Sequence, residues 1–139
     1  MSSIYTRDIL RLATETGDFP RLESPGASIE HRSAVCGSRI IIDLELQDDE
    51  TISSVGFDVA ACAFGQASSV LFAKHAVGLN LAELSNQVDG IKRWLGGEDG
   101  LPWPGFEALD SVRPLSARHG AVLLPFEAAL RAHVAIASL

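Results

Sequence analysis

One segment near the middle of this chain alternates apolar and polar side chains more regularly than any other. Within residues 39–47, Ile40, Ile42, Leu44 and Leu46 fall on one face, while Asp43 and Glu45 fall on the other. Such alternation is typical of a half-buried β-strand. A polar stretch at 48–50 follows, and a second alternation then covers 51–59. The sequence therefore predicts an antiparallel hairpin with one buried and one solvated face.

Before this hairpin, the sequence predicts one helix and then irregular chain. Tyr5, Ile9, Leu12 and Thr16 recur at the spacing of one helical face, and Gly17 is a natural stop. Residues 17–35 are rich in glycine, proline and serine, which predicts an extended loop or mobile arm.

After the hairpin, the pattern becomes helical. A helix is expected from Ala63 to Val77, and Asn80 with Glu83 predicts a capping-box start for the next helix. That second helix is expected to continue to Leu95, with a break near Gly90. Residues 96–105 contain too much glycine and proline for regular structure.

Two more helices are expected near the C-terminus. A short one is predicted around 106–112, and a long alanine- and leucine-rich one at about 118–137. Pro125 within the long helix must lie in a first turn or produce a kink.

The order of these elements predicts an α+β fold: an N-terminal helix, a small antiparallel sheet of about three strands, and several C-terminal helices packed on one face. The 139 residues fit a single domain spanning 1–139.

Charge and hydropathy restrict the classes of partner. The net charge is −7, and the eleven basic residues form no run, so no nucleic-acid surface is expected. No uninterrupted apolar run reaches the ~18 residues of a membrane-spanning helix, and residues 1–5 do not resemble a secretory signal. We therefore expect a cytoplasmic protein, in which two thiols rarely form a structural disulfide.

The two cysteines are the candidate chemical groups. Cys36 comes just before the first strand of the hairpin, and Cys62 comes just after the second, at the start of a helix. Antiparallel pairing would bring both to the same end of the sheet. A helix N-terminus stabilises a thiolate, and two thiolates form half of a tetrahedral site for zinc or iron. His119, at the head of the last helix, is the best local candidate for a third ligand.

The residues around both cysteines resemble the iron–sulfur cluster assembly scaffold family, which comprises the N-terminal domain of NifU, IscU and SufU. The segment Cys36-Gly37-Ser38-Arg39-Ile40 is similar to the family's C-G-D-x-[ILMV] motif. Residues 57–69 are similar to its F-x-x-x-G-C-x-x-x-x-A-S-x-S motif, and the spacing of 26 between the cysteines fits. Looser similarity at 5–9 and 123–128 extends the resemblance over nearly the whole chain.

The chain departs from the family pattern at two ligand positions. The motif aspartate is replaced by Ser38, and the third cysteine falls at Ala121, or at Gly120 if the register slips by one. The resemblance implies a non-catalytic scaffold that binds iron, an iron–sulfur cluster or zinc through Cys36 and Cys62, with His119 as the candidate third ligand. It also implies a cysteine desulfurase and recipient apoproteins as partners. Two cysteines from each of two chains could form a four-thiolate site in a homodimer.

Two other functions remain open at this stage. The first is a metal-free interaction module for cluster assembly, in which the acidic face at 43–50 and the basic C-terminal segment provide charge complementarity. The second is an enzyme in which Cys36 or Cys62 is a nucleophile and His119 is its base.

Overall fold

The structure, a computed structural model, describes residues 4–34 and 37–137. The α-helices are α1 (Arg7–Ala13), α2 (Ala63–His75), α3 (Leu81–Leu95) and α4 (His119–Ala137). The strands are β1 (Ala27–Arg32), β2 (Arg39–Leu46) and β3 (Ile52–Ala60), and short 3-10 helices cover Thr16–Asp18, Phe106–Val112 and Ser116–Arg118. This arrangement confirms the predicted α+β class.

The three strands form one antiparallel sheet in the order β1-β2-β3. In the predicted hairpin, Arg39 pairs with Ala60 and Leu44 pairs with Val55, with a register shift between Glu45 and Leu46. The third strand, β1, lies within the segment that was expected to be a loop or arm, so that expectation was wrong. Its residues alternate between half-buried and exposed, and Ile29 pairs with Ile42 of β2.

The buried face of the sheet carries the predicted apolar side chains. Ile40, Ile42 and Leu44 are fully buried. Helix α4 packs against β1 and β2 on this side, and it also contacts α2 and α3. Burial of these large aliphatic side chains stabilises the fold by about 2 kcal/mol each.

Helix α4 contributes much of the core. Together with the preceding turn, Ser116–Ala137 is long and apolar enough to span a membrane by length and composition. Half of its most apolar stretch is buried within the fold, which is the behaviour of a core helix. Because polar residues interrupt this segment, it contains no long apolar run that would mark it in the sequence.

One local helix prediction is wrong and another is narrowed. Helix α3 has the predicted Asn80–Glu83 capping box, but it runs through Gly90 without a break. Pro125 lies in the second turn of α4, so of the two predicted alternatives the first turn is excluded and the kink stays a prediction. Because proline has no N–H, the carbonyl of Ala121 lacks its usual donor four residues later.

Asp43 is not on a solvated face as predicted, because its side chain is fully buried. The chain around 19–22 crosses this side of the sheet, where the N–H of Phe57 donates to the carbonyl of Phe19. The Asp43 carboxylate accepts hydrogen bonds from Arg21 Nε at 2.7 Å, Leu22 N at 2.9 Å and Ser28 Oγ at 2.6 Å. Asp43 thus anchors the crossing segment to the sheet.

Candidate metal centre

Cys62 is the N-cap residue of α2, directly after β3, as the sequence predicted. Its backbone is extended, with φ −66° and ψ 173°, and its carbonyl accepts the hydrogen bond of Gln66 N at 3.0 Å. The residue is half-buried. The thiol therefore belongs to the residue that caps the N-terminus of a 13-residue helix.

Cys36 lies outside the described residues, so its predicted position beside Cys62 stays a prediction. The described neighbours define the end of the sheet to which it connects. Arg39 pairs with Ala60, so Ser38 and Ala61 continue from adjacent strands at the same end. Ser33 N donates to the carbonyl of Ser38 at 2.9 Å, which joins β1 and β2 at this end.

The N-terminal turn of α4 packs against the same end of the molecule. A Cβ atom on Gly65, in the first turn of α2, would lie 3.5 Å from the Cβ of Ala121. A Cβ atom on Gly120 would collide with Oγ of Ser33. Small residues therefore allow the start of α2, the start of α4 and the end of β1 to meet around Cys62.

Arg118 is the charged neighbour of Cys62, and sequence reasoning missed it. Its Nη1 donates to Oη of Tyr5 at 3.0 Å. The nearby Cys62 sulfur and Tyr5 hydroxyl raise the pKa of the Arg118 guanidinium above its ordinary value. The ring of Tyr5 packs on Phe64, with centroids 5.0 Å apart, so the partner of Arg118 is itself anchored.

The sequence contained only a weak indication that Tyr5 and Arg118 lie together near Cys62. Tyr5 was assigned to the apolar face of the first helix, but α1 begins at Arg7 and leaves Tyr5 outside it. Arg118 was visible only as the residue before His119. Arg118 and Tyr5 are separated by 113 positions, and no local sequence pattern links residues so far apart.

His119 is the first residue of α4, and its Nε2 contacts two backbone carbonyls. The distances are 3.2 Å to the oxygen of Val112 and 2.9 Å to that of Arg113. Because carbonyl oxygens only accept, Nε2 carries the hydrogen and a neutral ring has its lone pair on Nδ1. Metal-bound histidines commonly hold the second ring nitrogen in this way, so Nδ1 is the atom of His119 available as a ligand.

The donor set around Cys62 is sparse. Among residues 4–34 and 37–137, no three His, Cys, Asp or Glu side chains are grouped so that they could hold one ion. Ser38, at the position of the motif aspartate, is buried, and Ala121 is fully buried with no donor atom in its side chain. A metal at Cys62 would therefore need Cys36, a second chain or an exogenous ligand to complete its coordination.

Comparison with known proteins identifies the class of this fold. The N-terminal NifU-like protein from Brucella abortus superposes with a TM-score of 0.86 at 30% sequence identity, over 97% of this chain and 95% of that one. The chain belongs to this NifU-like N-terminal family, which confirms the resemblance seen in the sequence.

A proposed iron–sulfur cluster assembly scaffold for the SUF system of Fervidobacterium islandicum AW-1 has the same fold. Its TM-score is 0.83 at 19% identity, over 94% of this chain and 96% of that one. A hypothetical protein matches with a TM-score of 0.68 at 17% identity, over 91% and 96% of the two chains. No protein-family model and no curated protein matches this chain.

Proposed function

We propose that this protein acts in iron–sulfur cluster assembly as a non-catalytic scaffold or carrier. Its cargo is iron, an iron–sulfur cluster or zinc, bound by the thiolates of Cys36 and Cys62. Its partners are a cysteine desulfurase and the recipient apoproteins, and it works in the cytoplasm as one NifU N-terminal-like domain. The observation that carries this proposal is Cys62 at the N-terminus of α2, at the end of the sheet from which Cys36 departs, in a member of the NifU-like family.

The position of Cys62 supports its role as a ligand. A metal ion bound at the N-terminus of α2 would take the sulfur of Cys62 in its deprotonated form. Nδ1 of His119 is the candidate third ligand, because Nε2 is engaged by carbonyl oxygens. Metal binding displaces the thiol protons, so affinity should rise with pH and bound metal should stabilise the fold.

The direct test is to purify the protein without oxygen and to measure iron, zinc and acid-labile sulfide per chain. The wild type should contain metal, or should develop thiolate-to-iron charge-transfer absorption when reconstituted with iron and sulfide. Cys36→Ser and Cys62→Ser should each reduce the bound metal. An empty wild type that also fails to reconstitute would contradict the proposal.

A second candidate function is a metal-free interaction module in the same process. Arg118, a positive charge near Cys62 that would repel a bound cation, favours this alternative. The exposed acids of the β2–β3 turn would then attract a basic partner. In that case a protein carrying both Cys36→Ser and Cys62→Ser would still bind the desulfurase in a pull-down. Loss of the desulfurase from this double variant would favour the thiolate scaffold instead.

A further inference from the structure

Strand β1 forms one edge of the sheet. Among the residues that the structure describes, it pairs with β2 and with no other strand. The N–H of Ser33 donates to the carbonyl of Ser38 at the β2 end. Because the hydrogen-bonding direction alternates along an antiparallel strand, Glu30 and Arg32 direct their main-chain groups away from β2, towards the edge. Such an edge is a template for one further strand.

The exposed side chains of this edge are complementary to themselves. The Glu30 and Arg32 side chains are 48% and 68% exposed, and within one chain they form an ion pair at 3.0 Å. If two β1 edges pair antiparallel about a two-fold axis at His31, Glu30 of each copy lies opposite Arg32 of the other. Opposite charges in directly paired positions stabilise a sheet, and like charges destabilise it. An axis at Glu30 would place two glutamates face to face, and an axis at Ile29 would place Glu30 opposite Ser28.

Helix α4 runs along β1 in the opposite direction. A Cβ atom on Gly120 would collide with Oγ of Ser33, and a Cβ atom on Gly26 would lie 3.2 Å from Cδ1 of Ile136. The helix contacts β1 and β2 to a similar extent, so its axis lies above the gap between them. In a two-fold pair of β1 edges, the two α4 helices would be about two strand spacings apart, or roughly 9.6 Å. Packed helices lie about 8–10 Å apart, so the two copies would meet in both layers of the fold.

The outer side of α4 also fits a second copy of itself. His31 lies level with two charged residues of this helix, since Arg131 Nη1 is 3.1 Å from its Nδ1 and Glu127 Oε1 is 3.9 Å from its Nε2. A two-fold axis at His31 therefore places Glu127 of each copy opposite Arg131 of the other. The same axis brings Val134, which is 49% exposed, level with the half-buried Leu123 of the second copy.

We infer that the β1 edge is the contact surface of a symmetric homodimer, in which two copies pair antiparallel about an axis at His31 and form one six-stranded sheet. This inference goes beyond the proposed function and does not depend on bound metal. The two β3 strands would form the outer edges of the joint sheet, five strand spacings or about 24 Å apart. Cys62 follows β3, so the Cys62 residues of the two copies do not share a metal ion in this dimer.

The first test is sedimentation velocity over a range of protein concentrations. The wild type should pass from a 14.8 kDa monomer to a species of twice that mass. Glu30→Arg and Arg32→Glu should each raise the dimer dissociation constant at least about tenfold, because each brings like charges together at two paired positions. An equimolar mixture of the two variants should dimerise like the wild type, since every arginine then lies opposite a glutamate. The control Glu98→Arg makes the same change at an exposed side chain near the end of α3 and should not alter the dimer.

The second test locates the axis by disulfide cross-linking. His31→Cys and Ile29→Cys are each made in a protein carrying Cys36→Ser and Cys62→Ser, and are oxidised with diamide. The residue on the axis faces itself with Cα atoms about 4.5 Å apart, which suits a disulfide, so His31→Cys should form a covalent dimer. The two copies of residue 29 would be four residues apart along the strands, or about 13 Å, so Ile29→Cys should stay monomeric on a non-reducing gel. Circular dichroism melting of each variant verifies that it is folded.

Three results would overturn the inference. The first is a wild type that stays monomeric at every concentration. The second is a dimer that both Glu30→Arg and Arg32→Glu leave unchanged, which would place the contact on another surface. The third is cross-linking by Ile29→Cys and not by His31→Cys. The proposed function is tested separately, because Glu30→Arg should bind as much metal per chain as the wild type whether or not it dimerises.

Discussion

Asp43 provides the sharpest test of how the sheet is assembled, because a buried carboxylate without its partners would be strongly destabilising. We consider Asp43→Asn, which keeps the shape of the side chain and removes its charge. The control is Glu45→Gln, two residues further along β2, where the same change is made to a half-buried side chain.

The magnitude follows from the hydrogen bonds. Asp43 accepts three of them at 2.6 to 2.9 Å, and its side chain is fully buried. A hydrogen bond to a charged group contributes roughly 1.5–3 kcal/mol. Arg21 is 45% exposed and can be solvated again, so its contribution is smaller. An asparagine keeps one acceptor oxygen, and we expect Asp43→Asn to lower the free energy of unfolding by about 2 kcal/mol at pH 7. The control should change it by less than about 0.5 kcal/mol.

The pH dependence of this difference has a definite sign. Burial alone would raise the pKa of Asp43, but the hydrogen bonds from Arg21, Ser28 and the Leu22 N–H outweigh it and lower the pKa below its ordinary value. The carboxylate therefore stabilises the fold fully above the unfolded-state pKa of about 3.9, and this contribution is lost as the pH falls below that value. Urea unfolding at several pH values between 7 and 3 should show the gap between wild type and Asp43→Asn narrowing towards pH 3.

Two results would refute this reasoning. One is an Asp43→Asn protein as stable as the wild type at pH 7. The other is a gap that keeps its full size at pH 3, which would mean that the charge of Asp43 is not what the hydrogen bonds stabilise.

Three further substitutions test the packing around the sheet and the site. In Gly56→Ala the new methyl group would overlap the carbonyl oxygen of Pro20, so we expect about 2 kcal/mol of destabilisation, whereas Gly17→Ala has open space and should be close to neutral in the same urea assay. In Gly65→Ala the methyl group would lie 2.6 Å from the Cβ of Ala61, so α2 must shift near Cys62 and the melting temperature should fall by several degrees. Trp103→Phe keeps an aromatic ring but loses the 2.8 Å hydrogen bond from Nε1 to the carbonyl of Leu71, and chemical denaturation should show a loss of about 1 kcal/mol. An unchanged stability for any of the three would contradict the contact concerned.

The hairpin could be predicted because its alternation is local and complete. Ile40, Ile42 and Leu44 alternate over a span that only a half-buried strand explains. Strand β1 was missed because the glycines and prolines before it dominate the segment, and because its pairing with β2 depends on residues far along the chain. Asp43 was wrongly predicted to lie on the solvated face, again because the contact that buries it comes from another segment. Alternation identifies which face a residue is on, but it does not reveal that another segment covers that face.

The candidate site likewise has a part that could be predicted from the sequence and a part that could not. The position of Cys62 at the start of α2 followed from the change of period after β3. The position of Arg118 near Cys62 could not be deduced, because its hydrogen-bond partner Tyr5 comes from the other end of the chain. Gly90 shows the opposite case, in which a local helix-breaking signal is overridden by the buried residues on either side, Val88 and Ile91.

The central claim is that the sulfur atoms of Cys36 and Cys62 bind one metal ion. X-ray absorption at the zinc or iron edge of anaerobically loaded protein tests it most directly, because it counts the sulfur neighbours of the metal. The account predicts at least two sulfur atoms at about 2.3 Å for zinc and the loss of one in Cys62→Ser. A coordination shell made only of oxygen and nitrogen atoms, unchanged by that substitution, would contradict it.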